Sequence, residues 1–158
     1  HGRTRCQFYK GRANWRAIRR VKDAVEIPVI ANGDITSPRA ARTALDHSGA
    51  DGVMVGRGAQ GRPWLLAQVS HALYGTPEPR VPQGKGFADM VEEHYEAMLG
   101  FYGVELGARV ARKHLGWYMD TAGTPAELRR AVLTGATPGR TVKLLREAMT
   151  ADRALVAA

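Results

Sequence analysis

Two short glycine-containing turns carry the residue types best suited to chemistry in this 158-residue chain. Asn32-Gly33-Asp34 and Gly56-Arg57-Gly58 each follow a short apolar run, and their first glycines lie 23 residues apart, the length of one strand–helix crossover. Because parallel strands present ligand sites at their carboxyl ends, both turns are predicted at one edge of a sheet. Glycine lets backbone N–H groups approach an anion, and Arg57 adds a guanidinium suited to a phosphate. The pattern predicts a phosphate site, although the glycines could also merely end two strands.

The run from Gly56 to Gly61 also has the GxGxxG spacing of a dinucleotide-binding loop. That loop needs an acidic residue about 20 positions further on, at the end of a second strand. Here the position is Glu78, inside a segment rich in proline and glycine, and Pro63 falls where the helix after the loop should already be running. The dinucleotide interpretation is therefore rejected.

Helices and strands alternate around these turns. Asn14 is a plausible N-cap for a first helix, and Ser37-Pro38 begins a second helix that ends near Gly49. Apolar runs at 27–31 and 52–55 are typical of buried parallel strands, and residues 63–73 can form a third helix. The apolar face of the first helix comprises Trp15, Ile18, Val21 and Val25. The first half is therefore predicted to be α/β, and since two strands cannot close a barrel, it is expected to belong to something larger.

The second half is predicted to be all-helical. Residues 75–86 contain three prolines and three glycines and are typical of a linker. Helices are expected from residue 87 to Gly103, over 105–120, from a capping box of Thr124 and Glu127, and over 140–149. The apolar stripe of the first of these helices comprises Phe87, Met90, Val91, His94, Met98 and Phe101. Four helices with short connections favour a small four-helix bundle.

The net charge of +8 is concentrated in the first half of the chain. Residues 1–67 hold 12 basic and 5 acidic side chains, whereas residues 68–158 hold 11 and 10. In the second half, Arg109, Arg112 and Lys113 share one face of a predicted helix. Such charges either solvate a surface or bind a polyanion, and composition does not choose between the two.

Several motifs, in this order along the chain, resemble the tRNA-dihydrouridine synthases of bacteria. They are His1-Gly2-Arg3-Thr4-Arg5, the run from Ile27 to Ile35, the run from Gly52 to Trp64, Tyr102-Gly103 and the run from Arg112 to Tyr118. The resemblance implies an FMN-binding TIM barrel followed by a helical tRNA-binding domain, and an enzyme that reduces uridine in tRNA to 5,6-dihydrouridine with NADPH. This chain would hold the last two βα units of the barrel in residues 1–74, a linker in 75–86 and the helical domain in 87–158.

The resemblance also implies roles for individual residues. The FMN phosphate and ribityl group would be held by Asn32, Gly33, Asp34, Gly56 and Arg57. His1 would lie close to the flavin, and Arg3 would face the pocket for the flipped-out uridine and its phosphates. The tRNA phosphates would contact Arg109, Arg112 and Lys113.

No catalytic residue is expected in this chain, because the proton-donating cysteine of the family lies on an earlier barrel loop. Cys6 occupies a position that varies in the family signature and is interpreted as a bystander, so the chain alone is expected to be inactive. No membrane segment and no metal site are predicted, and the full-length protein is expected to be cytoplasmic and monomeric. Two alternatives stay open: a standalone RNA-binding helical module, and another FMN-binding barrel oxidoreductase such as a relative of dihydroorotate dehydrogenase.

Overall fold

The computed structural model describes residues 1–8, 10–135 and 137–150, and within these ranges the chain is mostly helical, with seven α-helices and two parallel strands. It divides into two compact units, His1–Arg80 and Val81–Ala158. Residues 151–158 of the predicted helical domain lie outside the described residues. No helix in the described ranges is both long and apolar enough to cross a membrane.

The first unit has the predicted alternation of helix and strand. Its elements are α1 (Trp15–Lys22), β1 (Ile30–Asn32), α2 (Pro38–Ser48), β2 (Gly52–Met54) and α3 (Leu65–Tyr74), with 3₁₀ turns at Arg5–Gln7 and Arg57–Ala59. The two strands pair in parallel, and Asn32 lies opposite Met54 at their carboxyl ends. Both glycine turns therefore leave the sheet side by side.

The predicted helix ends of this unit are confirmed. The Asn14 side chain accepts a hydrogen bond from the Ala17 N–H at 3.2 Å, and the Ser37 hydroxyl accepts one from the Ala40 N–H at 3.1 Å. Gly49 ends α2 in the left-handed conformation. These caps satisfy backbone groups that would otherwise lack partners, which is why the sequence identifies them.

The prediction that both strands are buried on their two faces is wrong for this chain. Ala31 is fully buried, but the side chains of Ile30 and Met54 are 53% and 52% exposed. Val21 on α1 is also exposed, and Val25 lies beyond the end of that helix and is exposed too, so the predicted apolar face is reduced to Ile18 and the partly buried Trp15. A two-stranded sheet has helices against one face only, and its other apolar face stays open. The core comprises Ile35, Ala41, Ala44, Leu65 and Val69.

The second unit contains four helices in its described residues: α4 (Gly84–Tyr102), α5 (Val104–Ala122), α6 (Ala126–Leu133) and α7 (Pro138–Thr150). Helix α4 begins inside the segment predicted as linker. Its buried stripe includes Tyr95, which the periodicity analysis left out, whereas Phe101, placed in the stripe, is 82% exposed. Phe101 lies in the last turn of α4, after Met98, the last buried residue of that helix.

The predicted capping box at the start of α6 is wrong. Pro125 is the N-cap residue, and no side chain caps the helix there. The Thr124 hydroxyl instead donates to the Ala148 carbonyl on α7 at 2.8 Å. The hydroxyl thus bonds to a carbonyl on another helix instead of accepting from a local backbone N–H, so this residue connects two helices instead of capping one.

Gly107 allows α4 and α5 to pack closely. A Cβ atom there would lie 2.6 Å from the Met98 carbonyl oxygen and 2.9 Å from the Leu99 Cα. Both neighbours are backbone atoms, which cannot move aside by a rotamer change. A methyl group at this position would have to push the two helices apart.

We therefore expect Gly107→Ala to lower the free energy of unfolding of the helical unit by about 1–3 kcal/mol. The control is Gly100→Ala on α4, where an added Cβ meets nothing within 4 Å. That control should be stabilising by about 0.5–1 kcal/mol, because alanine favours a helix interior. Hydrogen exchange at the buried amides of Val91 and Leu115 measures both effects, and equal protection in the two variants would contradict the packing argument.

Candidate phosphate-binding site

A cavity of about 490 Å³ lies at the carboxyl ends of the two strands. Every residue predicted to contact the cofactor lines it: His1, Asn32, Gly33, Asp34, Gly56 and Arg57. Gly58 allows the two turns to approach each other closely, since a Cβ atom there would lie 2.2 Å from the Ile35 carbonyl oxygen. The structure thus brings both turns to one site, as the strand order predicted.

Backbone N–H groups at the two turns are open to a ligand. Hydrogen bonds from within the described part of the chain reach the carbonyl oxygens of Asn32, Gly33 and Gly56. In those same residue ranges, the backbone N–H groups of Gly33, Asp34 and Gly56 donate to no acceptor. Such N–H groups next to a cavity suit an anion, because they can donate hydrogen bonds to it and are not already paired with an acceptor of the protein.

Gly33 cannot be replaced by a larger residue without strain. Its φ of +113° lies in the region that favours glycine. A Cβ atom would also lie 2.9 Å from the Ala13 Cβ and 3.1 Å from the His1 ring. This turn therefore depends on glycine both for its conformation and for its close contact with the first residues of the chain.

The His1 ring presents one nitrogen to the cavity. Its Nδ1 accepts a hydrogen bond from the Arg3 backbone N–H at 2.9 Å, which assigns the proton of the neutral ring to Nε2. Nε2 lies on the Gly33 side of the ring, 3.3 Å from where a Cβ atom of that residue would be. The ring is thus oriented to donate a hydrogen bond beside the turn after β1.

The Asp34 carboxylate is bound by other residues of this chain. Its carboxylate accepts hydrogen bonds at 2.7 Å from both the Ala13 N–H and the Arg3 guanidinium, which also donates to the Gly11 carbonyl at 2.6 Å. The Trp15 indole N–H adds a 2.8 Å bond to the Gly33 carbonyl. We call these contacts the Asp34 clasp; they fix the first residues of the chain against the turn after β1.

This arrangement changes the interpretation of Arg3. The resemblance assigned it to the uridine pocket and to phosphates, but its side chain is only 6% exposed and forms an ion pair with Asp34. In this structure its guanidinium binds Asp34 and the Gly11 carbonyl, and its Nη1 is buried without a hydrogen-bond partner in the described part of the chain. The sequence missed the clasp because 31 residues separate its two charged partners.

Electrostatics favour the ionised form of Asp34. Burial acts to raise the pKa of this carboxyl, but the hydrogen bonds from Ala13 and Arg3 and the positive charges of Arg3 and Arg57 outweigh it, and the net pKa is lowered. The influence of Arg57 also places its charge near the turn after β1. Sequence reasoning also missed Arg62, which donates to the Gly58 carbonyl at 3.2 Å, although it lies within the motif that carries the resemblance.

The basic residues of the helical unit fall into two groups. Arg112 and Lys113 are exposed on α5 and pair with no described residue, and Arg109 reaches only Glu105, at 3.8 Å. In contrast, Arg129 donates to the Gly116 carbonyl at 2.8 Å and to Asp120 at 2.7 Å. A Cβ atom at Gly116 would lie 3.1 Å from the Arg129 guanidinium, so this side chain occupies the space beside the glycine.

Comparison with known proteins points to one family. The family model described as Dihydrouridine synthase (Dus) matches residues 1–154. A probable tRNA-dihydrouridine synthase of Rhodobacter capsulatus is 58% identical over 94% of this chain, and one of Rickettsia conorii is 55% identical over 84%. A tRNA-dihydrouridine synthase B of Xanthomonas axonopodis pv. citri is 46% identical over 93%. The chain spans 40–45% of the length of these relatives.

The clasp predicts a pH-dependent stability. Asp34→Asn should lower the free energy of unfolding of the first unit by about 1–2 kcal/mol at neutral pH, since a charge-assisted bond is lost from a partly buried site. Because the folded pKa is lowered, this stabilisation is complete above the ordinary carboxyl pKa and is lost as the pH falls through the lowered value. The NMR signal of the Trp15 indole N–H in a urea titration measures it.

Asp23→Asn is the control, since that carboxylate is exposed and its side chain bonds to no described residue. As the pH falls, the free energy of unfolding should decrease more in the unsubstituted chain and in Asp23→Asn than in Asp34→Asn, which has already lost the charged clasp. Parallel pH profiles for all three chains would contradict the clasp.

Proposed function

Because this chain belongs to the dihydrouridine synthase family, we propose that it is the C-terminal part of a flavin enzyme that reduces uridine in tRNA to 5,6-dihydrouridine, with NADPH as the reductant. The observation that carries the proposal is the cavity in which two strand-end turns offer open backbone N–H groups beside Arg57. A dianionic phosphate is the ligand that such a site suits best.

The residues present fit the phosphate end of FMN. The N–H groups of Gly33 and Gly56 would hold phosphate oxygens, with Arg57 supplying the positive charge. A Cβ atom built at Gly56 meets nothing within 4 Å, so that turn leaves space for the group. Asp34 is itself negative and is held by Arg3, so we assign its side chain to positioning the turn instead of contacting the phosphate.

Bound FMN, reduced by NADPH, would supply the hydride that adds to the uracil double bond. The role of the residues in this chain would be to bind the cofactor and to orient it. Its His1 Nε2–H would donate a hydrogen bond at the flavin side of the cavity, and the clasp would hold that ring in place. We assign no catalytic role to Cys6, which is exposed and lies outside the residues that line the cavity.

The exposed apolar face of the sheet supports a larger barrel. Ile30 and Met54 present apolar side chains that isolated surface strands seldom carry, and the strands are parallel. We propose that the remaining strands of a TIM barrel cover this face in the full-length protein. The helical unit would then form a small bundle that contributes to tRNA binding through Arg109, Arg112 and Lys113.

Arg57→Ala in the full-length enzyme should lower FMN affinity about tenfold or more, because a charge-assisted contact to the phosphate is lost. Flavin absorbance after extensive dialysis measures the retained cofactor. Arg39→Ala, which removes an exposed charge from α2, is the control and should keep its yellow colour. Full retention of flavin by the Arg57 variant would remove the phosphate role.

The double variant Arg112→Gln/Lys113→Gln should bind tRNA more weakly, and the slope of log K against log salt should flatten by about 1.5. The slope flattens because fewer counterions are released on binding when two phosphate contacts are missing. Arg140→Gln/Lys143→Gln removes the same charge from exposed positions of α7. Filter binding between low and moderate salt measures both slopes. If the two double variants have the same slope as each other, the α5 residues are ordinary surface charges.

A further inference from the structure

The helical unit contains a second cavity, of about 390 Å³, at the junction of α5, α6 and α7. Its walls are largely apolar and include Val104, Ala108, Leu115, Val132 and Leu133. The buried Tyr95 of α4 also lines it. This volume lies toward the small end of the roughly 300–1,000 Å³ that pockets for small ligands occupy.

Two guanidinium groups, those of Arg109 and Arg112, line the same cavity. Arg112 is exposed and has no ion pair or hydrogen bond with any described residue. The acid among the lining residues is Glu105, which is 3.8 Å from Arg109 in an exposed pair that solvent screens. The cavity therefore combines apolar walls with a net positive edge.

We propose that this cavity binds a single nucleotide of the RNA substrate, turned out of its stack, with the base against the apolar walls and the phosphate against Arg109 and Arg112. The proposal rests on the proposed function for the presence of RNA. Proteins read single-stranded RNA by placing unstacked bases against apolar and aromatic side chains, and a guanidinium can hold a phosphate through two parallel bonds. The volume suits one nucleotide and excludes a helix, so the cavity would select a loop, a bulge or an end.

This site differs from a general basic surface in one testable respect. Lys113 follows Arg112 on α5 and is also exposed, but it does not line the cavity. A surface that attracts phosphates by charge alone would use both residues alike. A nucleotide pocket would need Arg112 and would be indifferent to Lys113.

The first experiment titrates this chain with uridine monophosphate, uridine and inorganic phosphate while following backbone amide signals by NMR. We expect saturable shifts at Ala108, Leu115 and Val132 with the nucleotide, and binding at least about tenfold weaker for each of the two components alone. Equal responses to phosphate and to nucleotide would overturn the pocket, since charge alone would then explain binding. Absence of shifts at these amides would overturn it as well.

The second experiment compares three variants. Arg112→Gln should weaken the binding of uridine monophosphate about tenfold, and Ala108→Phe should weaken it as much by filling the cavity. Lys113→Gln should leave it unchanged, because Lys113 lies outside the cavity and would contact only other phosphates of the intact tRNA. If Ala108→Phe alters the spectrum of α4, the Arg112 and Lys113 pair alone decides the matter. Equal losses in those two variants would overturn the proposal.

The same variants in the full-length enzyme separate this inference from the proposed function. Loss of tRNA affinity on Ala108→Phe, with flavin retention unchanged, is the expected result. Unchanged tRNA affinity there, with a salt slope lowered by the Arg112 and Lys113 substitutions, would sink the pocket and leave the enzyme assignment standing. If the enzyme binds uridine monophosphate in this cavity but neither holds flavin nor binds tRNA, the nucleotide pocket stands and the proposed function is overturned.

Discussion

The ion pair between Asp34 and Arg3 is the constraint on which the strand-end site depends. Glycine turns can approach an anion only if their backbone is held still, and glycine is the residue with the most freedom to lose. The Asp34 carboxylate supplies that restraint by accepting from Arg3 and from the Ala13 N–H, each at 2.7 Å. The turn after β1 is thereby fixed, and so are the first residues of the chain, including the ring of His1.

The two candidate sites use different chemistry for the same kind of ligand. At the sheet edge, open backbone N–H groups converge on a cavity, and the guanidinium groups of Arg57 and Arg62 line it with them. In the helical unit, the side chains of Arg109 and Arg112 supply the positive charge at a cavity with largely apolar walls. The first arrangement suits a fixed cofactor, and the second suits a flexible polymer whose position is set by charge and by one inserted group.

Positive charge by itself does not identify a binding residue in this protein. Arg3, Arg129 and Arg146 all belong to basic clusters in the sequence, yet each is paired with a carboxylate of its own unit. Arg112 and Lys113 are the basic residues of α5 that pair with no described residue. The difference arises because the charge of a guanidinium beside an acid is already balanced, whereas an exposed guanidinium without an acid gains more from a phosphate.

The order of helices and strands, the caps at Asn14, Ser37 and Gly49, and the meeting of the two glycine turns were all determined by the sequence alone, because each follows from local periodicity or from the direction of parallel strands. The Asp34 clasp, the bond from Thr124 to α7 and the cavity beside Arg112 were decided by tertiary structure. Each joins residues far apart in the chain, and no local pattern records which donor will meet which acceptor. The open face at Ile30 has the same origin, since burial depends on neighbouring strands and not on the strand's own residues.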